Sequence, residues 1–179
     1  PVYDDEGDYY LLNNNDFGHP VAITDNRKNV SKTLDVLSFL DLEWKIIPSI
    51  TLTSRLNYKF GNSLNDVYQP KRFTEAGEFN NGAASINNWQ GNTLVSETFA
   101  NFNKVFGEHE LSATVGHSYQ YDEYRTSNLS AYDFVNETLN NENLGAGNPE
   151  LNDLSNGLTE TKLVSGIFRA TYAYAGKYL

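Results

Sequence analysis

Hydrophobic and polar residues alternate with a period of two along five stretches of the chain. In 31–46, Leu34, Val36, Leu40, Leu42, Trp44 and Ile46 oppose Thr33, Asp35, Asp41, Glu43 and Lys45, with Leu37 and Phe39 out of step. In 50–60, Ile50, Leu52, Leu56, Tyr58 and Phe60 oppose Thr51, Thr53, Arg55, Asn57 and Lys59. Weaker forms of the pattern run through 93–106, 111–124 and 162–174. A strand puts successive side chains on opposite faces, so each stretch reads as a strand with one apolar and one polar face. Antiparallel strands near 31–46, 50–61, 93–106, 111–124 and 162–174 are expected, with Tyr178-Leu179 opening a sixth.

The links between these strands are unequal. Ile47-Pro48-Ser49, Gly107-Glu108-His109-Glu110 and Ala175-Gly176-Lys177 have the length of hairpin turns, whereas 61–92 and 125–161 are long. Gly107 and Gly176 supply the positive φ that a tight turn needs. In an up-and-down sheet every second link lies at the same end, so the long loops gather at one end and the tight turns at the other. Loops above about 12–15 residues are uncommon in compact soluble domains. Transmembrane β-barrels have long outer loops, short periplasmic turns and tilted spans of about 9–11 residues. Trp44, Phe106, Tyr172 and Tyr174 fall near the short-turn ends, where a barrel carries an aromatic girdle. The expected fold is therefore all-β: part of an antiparallel up-and-down transmembrane barrel, with 1–30 as an extracellular loop and 31–179 as barrel. A soluble antiparallel sandwich would share the alternation but not the asymmetry of the loops.

Composition narrows the function. The 179 residues carry a net charge of −10, which argues against general nucleic-acid binding, since phosphate contacts need Lys and Arg. Cysteine is absent, which removes disulfides and thiolate metal sites. Methionine is absent too, and the chain opens at Pro1, so an internal slice of a longer protein is expected. In barrel geometry the polar face lines the lumen, which assigns Arg55, Asn57, Lys59, Asn101, Asn103, Gln120 and Arg169 to it.

Several stretches resemble one known family. Leu42-Glu43-Trp44-Lys45-Ile46-Ile47 through Tyr58, the hairpin Asn101-Phe102-Asn103-Lys104-Val105-Phe106-Gly107-Glu108-His109-Glu110-Leu111 with Val115-Gly116-His117-Ser118-Tyr119-Gln120, and Phe168-Arg169-Ala170-Thr171-Tyr172-Ala173-Tyr174-Ala175-Gly176-Lys177-Tyr178-Leu179 are similar to the SusC/RagA family of TonB-linked outer-membrane transporters of Bacteroidetes. The resemblance covers the strands, about half of the chain, in the expected order. Pro48-Ser49-Ile50 replaces the family's usual Gly-Leu, and His117 stands where Tyr is commoner. The resemblance implies uptake of oligosaccharides or peptides without chemistry on the substrate. It also implies a SusD-type lipoprotein partner, energy from TonB through a plug that this segment lacks, contact with outer-membrane lipid, and no cofactor. A siderophore or cobalamin receptor, a soluble carbohydrate-binding module and a glycan-degrading enzyme are the alternatives. The enzyme ranks last, because no catalytic pair is legible.

Candidate sites are few. Asp4-Asp5-Glu6-Gly7-Asp8 lacks the oxygen pattern of an EF-hand and reads as a solvated loop. Gly145-Ala146-Gly147-Asn148-Pro149 lacks the context of a phosphate loop. His19, His109 and His117 have no metal-ligand spacing. The aromatics expected in loops, Tyr68, Phe73, Phe79, Trp89, Tyr132 and Phe134, stand among Asn, Gln and Asp. Rings that stack on sugar faces beside amides that bond hydroxyls suit glycan recognition. Tyr68, Trp89, Tyr132 and Phe134 are the candidates for substrate or partner contact, against loop-on-loop packing for each.

Overall fold

A computed structural model describes residues 2–10 and 19–176. Five strands form one antiparallel sheet in sequence order: β1 (Lys28–Ile47), β2 (Ile50–Gln69), β3 (Ala83–Phe106), β4 (His109–Tyr132) and β5 (Asp153–Tyr174). Two short helices accompany them, α1 (Pro20–Asn26) before β1 and α2 (Glu75–Phe79) between β2 and β3. The expected sixth strand lies outside the described residues.

All five expected strands are present, and each is longer than the alternation implied. Strand β2 continues to Gln69 and β3 starts at Ala83, so the link between them is 70–82 and not 61–92. Likewise β4 reaches Tyr132 and β5 starts at Asp153, leaving 133–152 in place of 125–161. The cause is chemical. Asn62, Asn65, Asn87, Asn88, Gln90, Asn128 and Asn156 populate these extensions, so neither face is apolar and the contrast of period two disappears. The stretch 1–30 is not all loop. It holds α1, capped by His19 Nδ1 accepting from Ala22 N at 3.1 Å, and the first residues of β1.

The chain divides into two compact units. One, the loop unit, comprises Pro1–Leu34, Asn62–Trp89 and Thr126–Gly157 and contains both long links. The other, the turn unit, comprises Asp35–Gly61, Gln90–Arg125 and Leu158–Leu179 and contains the tight turns. Gly107 (φ +63°) and Gly176 (φ +68°) take the left-handed backbone expected of them.

The loop unit has a small core of Tyr68, Ala84, Ala131 and Phe134, flanked by Leu144 and Ala146. Asp133 holds the two loops together: its N–H donates to Asn80 O and Gly82 O, and its carboxylate accepts from Asn81 and Asn148. Those two amides hold the Asp133 carboxyl below its ordinary pKa.

Candidate functional site

Cross-strand side-chain bonds fix which residues share a face. In the turn unit Arg55 lies 3.8 Å from Asp41, Thr114 Oγ1 donates to Asn101 Oδ1 (2.8 Å), and Thr93 Oγ1 donates to Asp122 Oδ1 (2.7 Å). Odd positions of β1, β2, β3 and β5 therefore share one face with even positions of β4. On the other face Ser54 pairs with Thr98 (3.2 Å), Tyr58 OH donates to Asn92 Oδ1 (2.8 Å), and Tyr121 OH donates to Glu160 Oε1 (2.6 Å). By this register Arg55, Asn57, Lys59, Asn101, Asn103, Gln120 and Arg169 all stand on the first, polar face. Arg169 and Thr171 line a hollow of about 230 Å³ there with Ser112 and Thr114. Gly116 is required on that face: a Cβ would stand 2.5 Å from Phe99 Cδ1 and 2.7 Å from Thr98 O.

The opposite face of the turn unit is apolar and exposed. Leu42 (59%), Trp44 (65%), Val115 (56%), Val164 (73%) and Phe168 (76%) are bare, where a soluble sandwich would bury them under a second sheet. His117 interrupts the apolar run of β4 as an exposed imidazole between Val115 and Tyr119. At the turns His109 Nδ1 lies 2.6 Å from Tyr172 OH, its ring stands 4.9 Å from that of Tyr174, and Lys104 Nζ stands 4.8 Å over Phe106.

In the loop unit the aromatic candidates separate. Tyr68, Trp89 and Tyr132 lie on strands, not in loops. Tyr68 and Phe134 are 2% and 1% exposed, with ring centroids 6.2 Å apart, so packing holds them and their rings cannot meet a solute. Burial and the hydrogen bond that Tyr68 OH donates to Glu137 Oε1 (2.5 Å) raise the phenol's pKa. Lys71 N donates to the same oxygen at 2.7 Å. Tyr132 lines a hollow of about 260 Å³ with Gln69, Asn80, Ser85 and Ser130, and no charged side chain is among its lining residues. Trp89 shares by strand parity the face of Ser85 and Asn87. Phe79 is bare on α2 at 88%, and Phe73 packs edge-on to Tyr9 at 5.2 Å.

Two TonB-dependent receptors of Formosa agariphila, P3 and P39, are each 26% identical to the chain and match 99% of it. The chain spans only 18% and 17% of their lengths. No family model matches the chain. Among solved structures, the RagAB peptide importer in its closed-closed state superposes with a TM-score of 0.76 at 16% identity, over 97% of the chain and 20% of the importer chain. A second structure of the RagAB peptide transporter gives 0.73 at 17% identity, over 98% of the chain and 20% of that chain. The chain has the fold of a TonB-dependent transporter barrel segment. The resemblance to the SusC/RagA family holds, and the bare face of the turn unit follows from that fold. A barrel presents apolar side chains to lipid and needs no second sheet.

The remaining candidates are structural elements of this barrel segment. The Asp4 carboxylate accepts from Glu6 N and Asp8 N, so it closes its own turn. Gly147 packs where a Cβ would meet Tyr132 O at 2.8 Å. Among the described residues no group of three His, Cys, Asp or Glu is placed to hold a metal ion.

Two predictions arise from the loop unit. Replacing Tyr68 with Phe removes a hydrogen bond to a charged acceptor, which should cost about 1.5–3 kcal/mol locally. Hydrogen exchange in 133–152 of the full-length protein should rise accordingly. Lys28 Nζ lies 2.8 Å from Glu142 Oε1, and this ammonium draws the Glu142 carboxyl below its ordinary 4.5. A depressed carboxyl stabilises above its unfolded pKa, and that contribution is lost as pH falls through the folded value. A spin label at Leu139 should keep one mobility from neutral pH down to that ordinary 4.5 and loosen as the pH falls further.

Proposed function

We propose that the chain forms part of the barrel of an outer-membrane TonB-dependent transporter that imports oligosaccharides or peptides. In this reading the protein crosses the outer membrane many times as a β-barrel. It works with a SusD-type lipoprotein at its outer end, draws energy from TonB through a plug, and performs no chemistry on its cargo. The observation that carries the reading is the pairing of faces in the turn unit. Seven polar side chains assigned to the lumen share one face, and an exposed apolar face lies behind them. The similar proteins support it, as TonB-dependent receptors and a peptide importer.

Trp89 and Tyr132 are the proposed contacts for cargo in the loop unit. The lining beside Tyr132 joins uncharged amides and hydroxyls to Val67, Ala76, Ala83 and Ala84, which suits a neutral ligand with both hydroxyls and an apolar face. Uptake of labelled oligosaccharides and labelled peptides by cells with and without the full-length gene, and with and without TonB, tests the reading. Import of one class that requires both genes is expected. Import of neither, or uptake of iron chelates or cobalamin in their place, contradicts it. Loss of either ring to alanine should weaken cargo binding by roughly two- to tenfold while folding is unchanged.

A further inference from the structure

The hollow beside Tyr132 lies wholly within the loop unit and measures about 260 Å³. Val67 and Gln69 of β2, Ala83 and Ser85 of β3, and Ser130 and Tyr132 of β4 form its floor. By strand parity these six stand on the face of Arg55, Asn57 and Gln120. The β3–β4 register that joins Thr93 to Asp122 sets Ser85 opposite Ser130 and Ala83 opposite Tyr132. The link 70–82 supplies the wall, through Ala76 of α2 and Asn80 one turn on. That wall is seated closely. The Thr74 hydroxyl caps α2, and a Cβ at Gly77 would overlap Pro70 O.

The lining keeps unused hydrogen-bonding capacity. The Gln69 amide and the Ser130 and Tyr132 hydroxyls enter no hydrogen bond among the described residues. Asn80 donates from Nδ2 to Ala76 O (2.7 Å) and keeps Oδ1 as an acceptor. Val67, Ala76 and Ala83 give the apolar part. A pyranose ring has hydroxyls at its edge and C–H groups on its faces, so it matches a lining of this kind. Clefts for drug-sized ligands run to roughly 300–1,000 Å³. This smaller one holds a single ring of a longer chain.

No charged side chain lines the hollow. The segments that flank it in sequence are acidic: α2 carries Glu75 and Glu78, and 133–152 carries Asp133, Glu137, Glu142 and Glu150 with no Lys or Arg. The cations of 70–82 have other partners. Lys71 helps to hold the Asp133 carboxyl low, and Arg72 Cζ lies 5.1 Å over the Phe73 ring. A carboxylate or sulfate in the hollow would lose its water and gain no cation.

We propose that this hollow is a subsite for one uncharged sugar ring, which makes the cargo a neutral oligosaccharide and shuts out acidic glycans and peptides. The inference rests on the transporter reading and narrows its cargo.

Calorimetric titration of the full-length protein in detergent tests it. The probes are hexasaccharides of glucose, mannose, galactose and xylose, hexasaccharides of galacturonate and mannuronate, a sulfated galactose hexasaccharide, mixed hexapeptides, a ferric hydroxamate chelate and cobalamin. At least one neutral hexasaccharide should bind, and every acidic one and the peptides should bind at least roughly tenfold less well. A76F fills the hollow and should weaken neutral binding about tenfold or more. Q69A removes an amide from the floor and should weaken it roughly two- to tenfold. K162Q, on the apolar face of the turn unit, should bind as the native protein does. Should A76F melt early, Q69A decides alone. Preference for an acidic hexasaccharide or for peptides, or binding of no neutral sugar, overturns the proposal and leaves the transporter reading in place. Neutral binding that neither A76F nor Q69A weakens also overturns it. Binding of the iron chelate or cobalamin in place of sugars removes both readings.

Discussion

Replacing Leu56 with arginine should destabilise the full-length protein in a bilayer by about 2–4 kcal/mol, the cost of a cation on the lipid face near the midplane. Leu56 lies midway along the apolar run from Ile50 to Phe60, on the face shared by Tyr58 and Ser54, and is exposed. Its neighbour Asn57 points to the other face, beside Arg55 and Lys59. There an added arginine meets a polar surface, and the cost should be far smaller. The contrast between adjacent positions is the content of the prediction, since a general loss of strand propensity would affect both alike. Folding of each variant into lipid vesicles, followed by denaturant titration, supplies the comparison. Equal sensitivity at Leu56 and Asn57 would refute the facing assignment.

The second large effect concerns residues 1–179 expressed alone. Among the described residues the sheet ends at β1 on one side and β5 on the other, and neither edge is paired. Natural outer-membrane barrels begin at about eight strands, so five cannot close. Two open edges present unsatisfied N–H and C=O groups, which lipid cannot pair and which in water template further strands. The bare face that includes Leu42, Trp44, Val115, Val164 and Phe168 adds an apolar patch larger than soluble monomers carry. The segment should aggregate on refolding without detergent and should bind no glycan. A soluble monomer with a cooperative melt and sugar affinity would point to a carbohydrate-binding module instead.

The parts of the fold legible in the sequence are those where one face must be apolar. Leu52, Leu56 and Tyr58 alternate with Thr53, Arg55 and Asn57, and in the proposed reading this is because lipid and lumen impose opposite demands; the same contrast marks 34–46 and 111–121. Beyond that band the constraint lapses. Asn62 bonds Asn88 and Asn65 bonds Asn29 and Ser31, so cross-strand amides and hydroxyls hold the ladder together without any periodic signal. This is why 61–69 and 83–92 read as loop. It is also why Tyr68 passed for an exposed ring, although it extends the even positions of β2 beyond Leu64. Helix α2 left a faint trace in Thr74, whose hydroxyl caps Gly77 N at 3.1 Å. The seven polar residues were brought to one face by register that parity alone could state. Phe134 was not foreseeable as core, because its partners Tyr68 and Ala84 come from two strands, β2 and β3, that are distant from it in sequence.

The central claim is that the polar face of the turn unit looks into an aqueous lumen and the apolar face into lipid. Single spin labels at each position from 52 to 59, in the full-length protein with other cysteines removed and reconstituted in lipid, test it directly. Collision with a water-soluble nickel chelate and with oxygen should alternate: chelate dominant at 53, 55, 57 and 59, oxygen dominant at 52, 54, 56 and 58. Chelate accessibility without a period of two, or oxygen dominant at the odd positions, would contradict the account.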